Sequence, residues 1–221
     1  MLVSPPPTIP RTRKSEPGEL DEHLTLWVRT GTAHLRLDDG TVLGDSFDIA
    51  RWADRHSVSK AKTLFPSGKE AAIIEIDARA NRALRAGRAL VMRRTAADAE
   101  AKREAVPASI PAFLRPLMAT TVPLGARFLA KKHAAETRRP TGDLEQDIRD
   151  ELLWLRMTLV GRPYLFEDFT FADLSMATML QVVRPRDGFQ PGTARAWTTE
   201  DLVVEFPDLL AWRDDVYAKH R

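Results

Sequence analysis

Residues 38–46 read Asp38-Asp39-Gly40-Thr41-Val42-Leu43-Gly44-Asp45-Ser46, and they set the fold of the first part of the chain. Asp-Gly between apolar alternations is a hairpin signal. The spacing predicts one strand over Leu35–Leu37 and a second over Thr41–Leu43. Gly44-Asp45-Ser46 then opens a helix that runs to about His56, with Asp45 or Ser46 as its N-cap and Phe47, Ile49, Ala50 and Ala53 as its apolar side. Upstream, Leu24, Leu26 and Val28 alternate with polar residues, a pattern that fits a strand or a short helix. Downstream, residues 57–68 read as a linker, broken by Pro66 and Gly68.

Everything past residue 68 reads as helix. Ile73, Ile76, Ala80, Leu84, Gly87 and Val91 recur at spacings of three and four, one amphipathic stripe. Residues 96–105 are polar, helical or loose, and end at Pro107. Phe113, Leu117, Leu124 and Phe128 mark another helix, kinked at Pro116 or Pro123. A helix over Asp143–Leu159 turns Leu144, Ile148, Leu152 and Leu155 inward and stops at Gly161 and Pro163. A further helix starts at Thr170 and ends near Pro185, and a last one begins at about Pro207. In Phe169-Thr170-Phe171-Ala172-Asp173 the Thr and Asp stand three apart, as in a capping box, and Phe169 with Leu174 fits a hydrophobic staple. That motif by itself says only that a helix starts firmly there. Trp154, Trp197 and Trp212 lie in apolar helical contexts and read as core.

The chain has 221 residues, 43% hydrophobic and 29% charged, a globular composition large enough for a real core. It has no cysteine, which excludes disulfides, thiolate metal sites and a cysteine nucleophile. No apolar run is long enough to span a bilayer, and residues 1–17, with five of the 15 prolines, form an extended leader without the apolar stretch of a secretory signal. The expected location is therefore cytoplasmic. The histidines (His23, His34, His56, His133 and His220) show no metal-ligand spacing, and no phosphate-loop, nucleophile-elbow or dinucleotide fingerprint occurs.

The net charge of +2 conceals an asymmetry. Residues 1–65 hold 9 basic and 9 acidic residues, residues 79–139 hold 14 and 4, and residues 140–221 hold 9 and 15. The basic middle suits an anionic ligand, an acidic partner, or a helix facing the acidic last third. Arg79, Arg82, Arg85, Arg88, Arg93 and Arg94 lack interleaved aromatics, which argues against nucleic acid. At the Asp45-Ser46 helix start, free N–H groups favour a carboxylate or phosphate, the Ser46 hydroxyl can donate to it, and Asp45 can accept from an ammonium. A ligand carrying both charges, like an amino acid, fits; a plain helix cap fits the same residues.

The order of features is hairpin, Asp45-Ser46 helix start, linker, helical region, Gly161-Arg162-Pro163-Tyr164-Leu165 with Thr170-x-x-Asp173, then Phe206-Pro207-Asp208-Leu209-Leu210-Ala211-Trp212. This order resembles the cytosolic glutathione transferase superfamily over about residues 18–221. The resemblance implies an α/β plus all-α protein. A reduced thioredoxin-like domain would occupy residues 1–65 and an all-helical domain residues 69–221. It implies that Asp45 and Ser46 hold the γ-glutamyl end of glutathione and that the backbone of Thr32 meets its cysteinyl part. It implies that the helix carrying Arg79, Arg82, Arg85 and Arg88 borders the acceptor-substrate pocket, and that the chain is a homodimer acting on small electrophilic or hydrophobic substrates. Glutathione is then a co-substrate, with no bound cofactor and no metal, and Thr170 and Asp173 are structural. Two departures from the family pattern stand out. Ala33 replaces the family's cis-proline, so a trans bond is expected there. The strand, helix and strand that open the family's first domain have only residues 1–17 to occupy, which leaves Ser4 as a thiol-activator candidate without a helix behind it. The alternative is therefore a binding or interaction protein of the same fold that has lost thiol activation.

Overall fold

The structure, a computed structural model, describes residues 25–29, 32–57, 63–106 and 138–220. The expected leader with Ser4, and the expected helix through Phe113, Leu117, Leu124 and Phe128, lie outside the described residues. The chain divides into two units, Met1–Ser67 and Gly68–Arg221.

The first unit is a small antiparallel sheet with one helix. Strands β1 (Thr25–Arg29), β2 (Thr32–Arg36) and β3 (Val42–Leu43) form a meander in the order β1-β2-β3. The segment open to two readings is thus a strand, with Trp27 opposite His34 and Leu26 opposite Leu35. Leu35 also pairs with Leu43, and Leu35 is buried. The Asp-Gly turn closes as the sequence predicts. Asp39 Oδ1 accepts the N–H of Thr41 at 2.8 Å, Leu37 N–H donates to Thr41 O at 2.9 Å, and Gly40 takes a φ of +85° that L side chains avoid. Helix α1 (Ser46–His56) packs on β2. The Asp54 carboxylate fixes the chain beyond α1, accepting the Thr63 hydroxyl at 2.6 Å and the Leu64 N–H at 2.7 Å. Phe47 and Phe65 then meet edge to face at 5.2 Å. All strand pairings among the described residues are antiparallel.

The second unit is helical. Its described helices are α2 (Glu70–Ala97), α3 (Ala99–Glu104), α4 (Thr141–Thr158), α5 (Phe171–Met179), α6 (Pro191–Trp197), α7 (Glu200–Glu205) and α8 (Pro207–His220). A 3₁₀ turn at Leu180–Val182 follows α5. The long helix α2 packs against α4 and α5, with Ile73, Ile76, Ala80, Ala83, Ala86, Gly87 and Leu90 inward. These residues are mostly small, so neighbouring backbones come close. A Cβ added at Gly87 would lie 2.4 Å from the Cβ of Val182. Against α2, α4 buries Leu144, Ile148, Leu152 and Leu155, the residues its spacing predicts.

The structure differs from the sequence reading in three places. The helix begun at Thr170 ends at Met179 rather than near Pro185, because the chain tightens into the 3₁₀ turn. Between it and α8 lie α6 and α7, each too short to carry a periodic stripe. Pro191 sits in the first turn of α6, where its missing N–H costs nothing. Docking of α6 on α3 needs Gly192, whose added Cβ would stand 2.5 Å from the backbone N of Ala101, and Glu104 accepts the Gly192 N–H at 3.0 Å and that of Thr193. Finally, Trp154, Trp197 and Trp212 are half-buried rather than core, and Trp212 donates its indole N–H to Pro163 O at 2.9 Å.

Arg213 on α8 is 1% exposed. Its guanidinium donates to the carbonyl of Leu180, which also accepts the Val183 and Arg184 N–H groups, and to that of Arg184, where α5 and its 3₁₀ turn end, and it pairs with Asp214 at 2.8 Å.

Candidate functional site

The candidate site in the first unit is the start of α1. Asp45 has an extended backbone (φ −126°, ψ 140°), and its Oδ1 accepts the Phe47 N–H at 2.7 Å, so Asp45 rather than Ser46 is the N-cap. Ser46 is the first helical residue, and both side chains are exposed. The cap takes the Phe47 N–H, and the helix dipole adds partial positive charge at this end. Asp48 in the same turn is acidic as well. Two carboxylates beside the turn oppose a doubly charged phosphate and favour a ligand that brings an ammonium with its carboxylate.

His34 belongs beside this turn and was missed by the sequence reading, which tested the histidines only for metal spacing. A Cβ built on Gly44 would lie 3.2 Å from His34 Nδ1 and 3.4 Å from Cε1, so the imidazole covers the residue just before the cap. The available signal was position: His34 stands two residues from Thr32 on the strand that faces Gly44. Thr32 itself begins β2, in register with Arg29, and the bond before Ala33 is trans.

Arg79 and Arg82 lie in the second unit, one turn apart on α2. Both converge on Glu151 of α4. Arg79 Nη1 donates to Oε2 at 2.9 Å, and Arg82 donates to Oε1 through Nε at 3.2 Å and Nη2 at 3.0 Å. The Arg79 guanidinium also lies over the Trp154 ring, 4.6 Å from its centroid. The carboxylate of Glu151 is nearly buried, which explains why two cations attend it. Further along the same helix, Arg94 pairs with Glu145 at 3.0 Å. Much of the basic stripe is thus spent on the acidic helix α4, the third of the uses the charge asymmetry offered, a helix facing the acidic last third.

The second motif is a buried polar knot. Asp173 Oδ2 accepts the Thr170 N–H at 2.8 Å and the Thr170 hydroxyl at 3.0 Å, and Oδ1 accepts the Leu165 N–H at 2.8 Å. Thr170 completes the capping box. Burial pushes the Asp173 carboxyl above the ordinary carboxylate range, against the pull of those N–H donors.

Among the described residues no group of three or more His, Asp or Glu is placed to hold a metal, and no helix is long and apolar enough to cross a membrane. In comparisons with known proteins, no family model, curated protein or solved structure matches this chain.

Proposed function

We propose that the chain is a glutathione transferase-like protein of the cytoplasm that binds glutathione at the start of α1. The observation that carries this reading is the continuous path from the Asp-Gly hairpin into a helix capped by Asp45, with Ser46 exposed at its first position. Ser46 would donate its hydroxyl and backbone N–H to the γ-glutamyl carboxylate, while the Asp45 carboxylate would accept from the α-ammonium. Thr32, at the start of β2, would meet the cysteinyl part through its backbone. The acceptor would be a small electrophile or hydrophobic molecule, and the working form a homodimer. Conjugation would deprotonate the glutathione thiol to water and form a carbon–sulfur bond as the electrophilic carbon releases a leaving group such as halide with its electron pair, and it requires a positioned donor or dipole to hold the thiolate.

A second reading rests on the sheet. Every strand pair among the described residues is antiparallel, whereas a thioredoxin-like unit carries its thiol-activating group on a helix that joins a parallel pair. This favours a binding or interaction protein of the same fold without thiol activation. Arg79 and Arg82, committed to Glu151, fit either reading as structural groups.

Calorimetric titration of glutathione tests the proposal. Binding that disappears in Asp45→Ala/Ser46→Ala supports it, and an unchanged isotherm in that double variant overturns the site. Turnover of an activated aryl halide then separates the two readings.

A further inference from the structure

The dipeptide Asp-Gly occurs twice in the chain, at Asp39-Gly40 and at Asp187-Gly188. It has a reactivity of its own. The amide nitrogen that follows an aspartate can close a five-membered ring on the side-chain carboxyl carbon, and a glycine has no Cβ to shield that nitrogen. The two sites are alike in their surroundings. All four residues are exposed, both glycines take a positive φ (+85° at Gly40 and +102° at Gly188), and a Cβ added at either would meet nothing within 4 Å.

They differ in what holds them. At the hairpin, the Gly40 N–H donates to Leu37 O at 3.0 Å, and Asp39 Oδ1 accepts the Thr41 N–H at 2.8 Å. The nitrogen that would attack is thus committed to a carbonyl, and the carboxylate that would be attacked is turned onto a different amide. The Thr41 N–H also holds the Asp39 carboxyl below the ordinary range, in the ionised form whose carbon resists a nucleophile. At the second site, neither the Asp187 carboxylate nor the Gly188 N–H has a hydrogen-bond partner among the described residues. The contacts of the flanking chain stop short of them. Upstream, the Arg186 N–H donates to Gln181 Oε1 at 3.0 Å, and the Arg186 guanidinium lies over the Tyr217 ring, 4.6 Å from its centroid, rather than on Asp187. Downstream, the next backbone N–H groups held are those of Gly192 and Thr193, on Glu104.

We propose that Asp187 is a site of spontaneous isomerisation, at which the peptide link to Gly188 passes from the α-carboxyl to the β-carboxyl group, and that Asp39 in the same dipeptide is spared. The Gly188 nitrogen, its proton passed to water, attacks Cγ of the protonated Asp187 side chain. A carbon–nitrogen bond forms, and the carboxyl hydroxyl leaves with its electron pair and takes up a proton as water. The succinimide that remains is lighter than the parent chain by one water. Water then adds to either ring carbonyl. Breaking the original backbone carbon–nitrogen bond gives the β-linked isoaspartate with a free α-carboxylate, and breaking the new bond regenerates aspartate. Water is the one co-reactant, and the isoaspartyl chain has the mass of the original.

Storage of the full chain at physiological temperature and neutral pH, followed by peptide mapping with electron-transfer fragmentation, tests the proposal. The fragments on either side of a β-linkage separate isoaspartate from aspartate at equal mass. In the folded protein, isoaspartate at position 187 accumulates about 10-fold or more faster than at position 39, because a held amide must first open to react. In urea, where neither turn is held, the two sites convert at similar rates. Equal accumulation at both sites in the folded protein overturns the proposal. So does an Asp187 that stays intact while the chain in urea converts, or a preference for position 187 that persists in urea. Glutathione binding enters none of these outcomes, so failure here leaves the proposed function standing.

Discussion

The carboxylate of Asp173 accepts the backbone N–H of Leu165, eight residues earlier in the chain, at 2.8 Å. A single buried side chain thereby closes the start of α5 and the turn that precedes it. Removing it in Asp173→Ala orphans the N–H groups of Leu165 and Thr170 inside the protein. The expected loss is about 3 kcal/mol, combining a lost cap with an unsatisfied buried donor. Urea denaturation followed by tryptophan fluorescence measures it, and a loss below about 1 kcal/mol would contradict the assigned role.

Two carboxyls give opposite pH dependence. The raised Asp173 carboxyl binds its proton more tightly in the folded chain, so its contribution to stability is full below the unfolded value and falls as pH rises through the folded one. Asp208 is held below the ordinary range by its hydrogen bond from Arg156. Its contribution is present above the unfolded value and is lost as pH falls through the folded one. Asp208→Asn should therefore flatten the acid side of the stability profile, whereas Asp173→Asn should remove a component that acidification strengthens. Thermal melts between pH 3 and 7 distinguish the two.

Gly87→Ala should destabilise the protein although alanine is the better helix former. The gain in propensity is about 1 kcal/mol, while forcing a methyl against Val182 costs about 1–3 kcal/mol. Pairing it with Val182→Ala should recover part of the loss. Chemical denaturation of the three variants decides the sign.

Glu151→Gln leaves Arg79 and Arg82 facing each other without a counter-charge. Because the Arg82 side chain is 48% exposed and solvent screens it, the cost is about 1–2 kcal/mol rather than that of a fully buried pair. A double-mutant cycle of Arg79→Ala with Glu151→Ala should give a favourable coupling, and zero coupling would show that the contact is incidental.

The start of α1 separates capping from binding. Asp45→Ala removes the Phe47 cap and should cost about 1 kcal/mol, along with glutathione affinity. Ser46→Ala should lower affinity alone and leave the melting temperature nearly unchanged. If Ser46→Ala leaves affinity intact, the hydroxyl plays no part in binding.

Local chemistry made much of this structure legible. The Asp39-Gly40 turn, the Asp45 cap and the Thr170–Asp173 box all follow from short-range hydrogen bonding, which a sequence displays directly. The inward face of α4 was equally plain from its spacing. What stayed hidden depends on residues distant in the chain. The partnership of Arg79 and Arg82 with Glu151 spans about 70 positions, so the sequence offers a helix facing the acidic last third as one reading of the basic stripe but does not name the carboxylate that takes these two arginines. His34 carried no motif, and its place beside Gly44 follows only from strand register. Helices α6 and α7 are set by docking on α3 and α8 more than by any pattern of their own.

The buried Arg213 also bears on how the protein is made. The carbonyls it holds, at Leu180 and Arg184, come 33 and 29 residues earlier in the chain. During synthesis the end of α5 leaves the ribosome well before the guanidinium that completes it. The Leu180 carbonyl already accepts the Val183 and Arg184 N–H groups within its own turn, and α8 adds the guanidinium that reaches it and the Arg184 carbonyl, so this corner of the helical unit is completed late, when α8 docks.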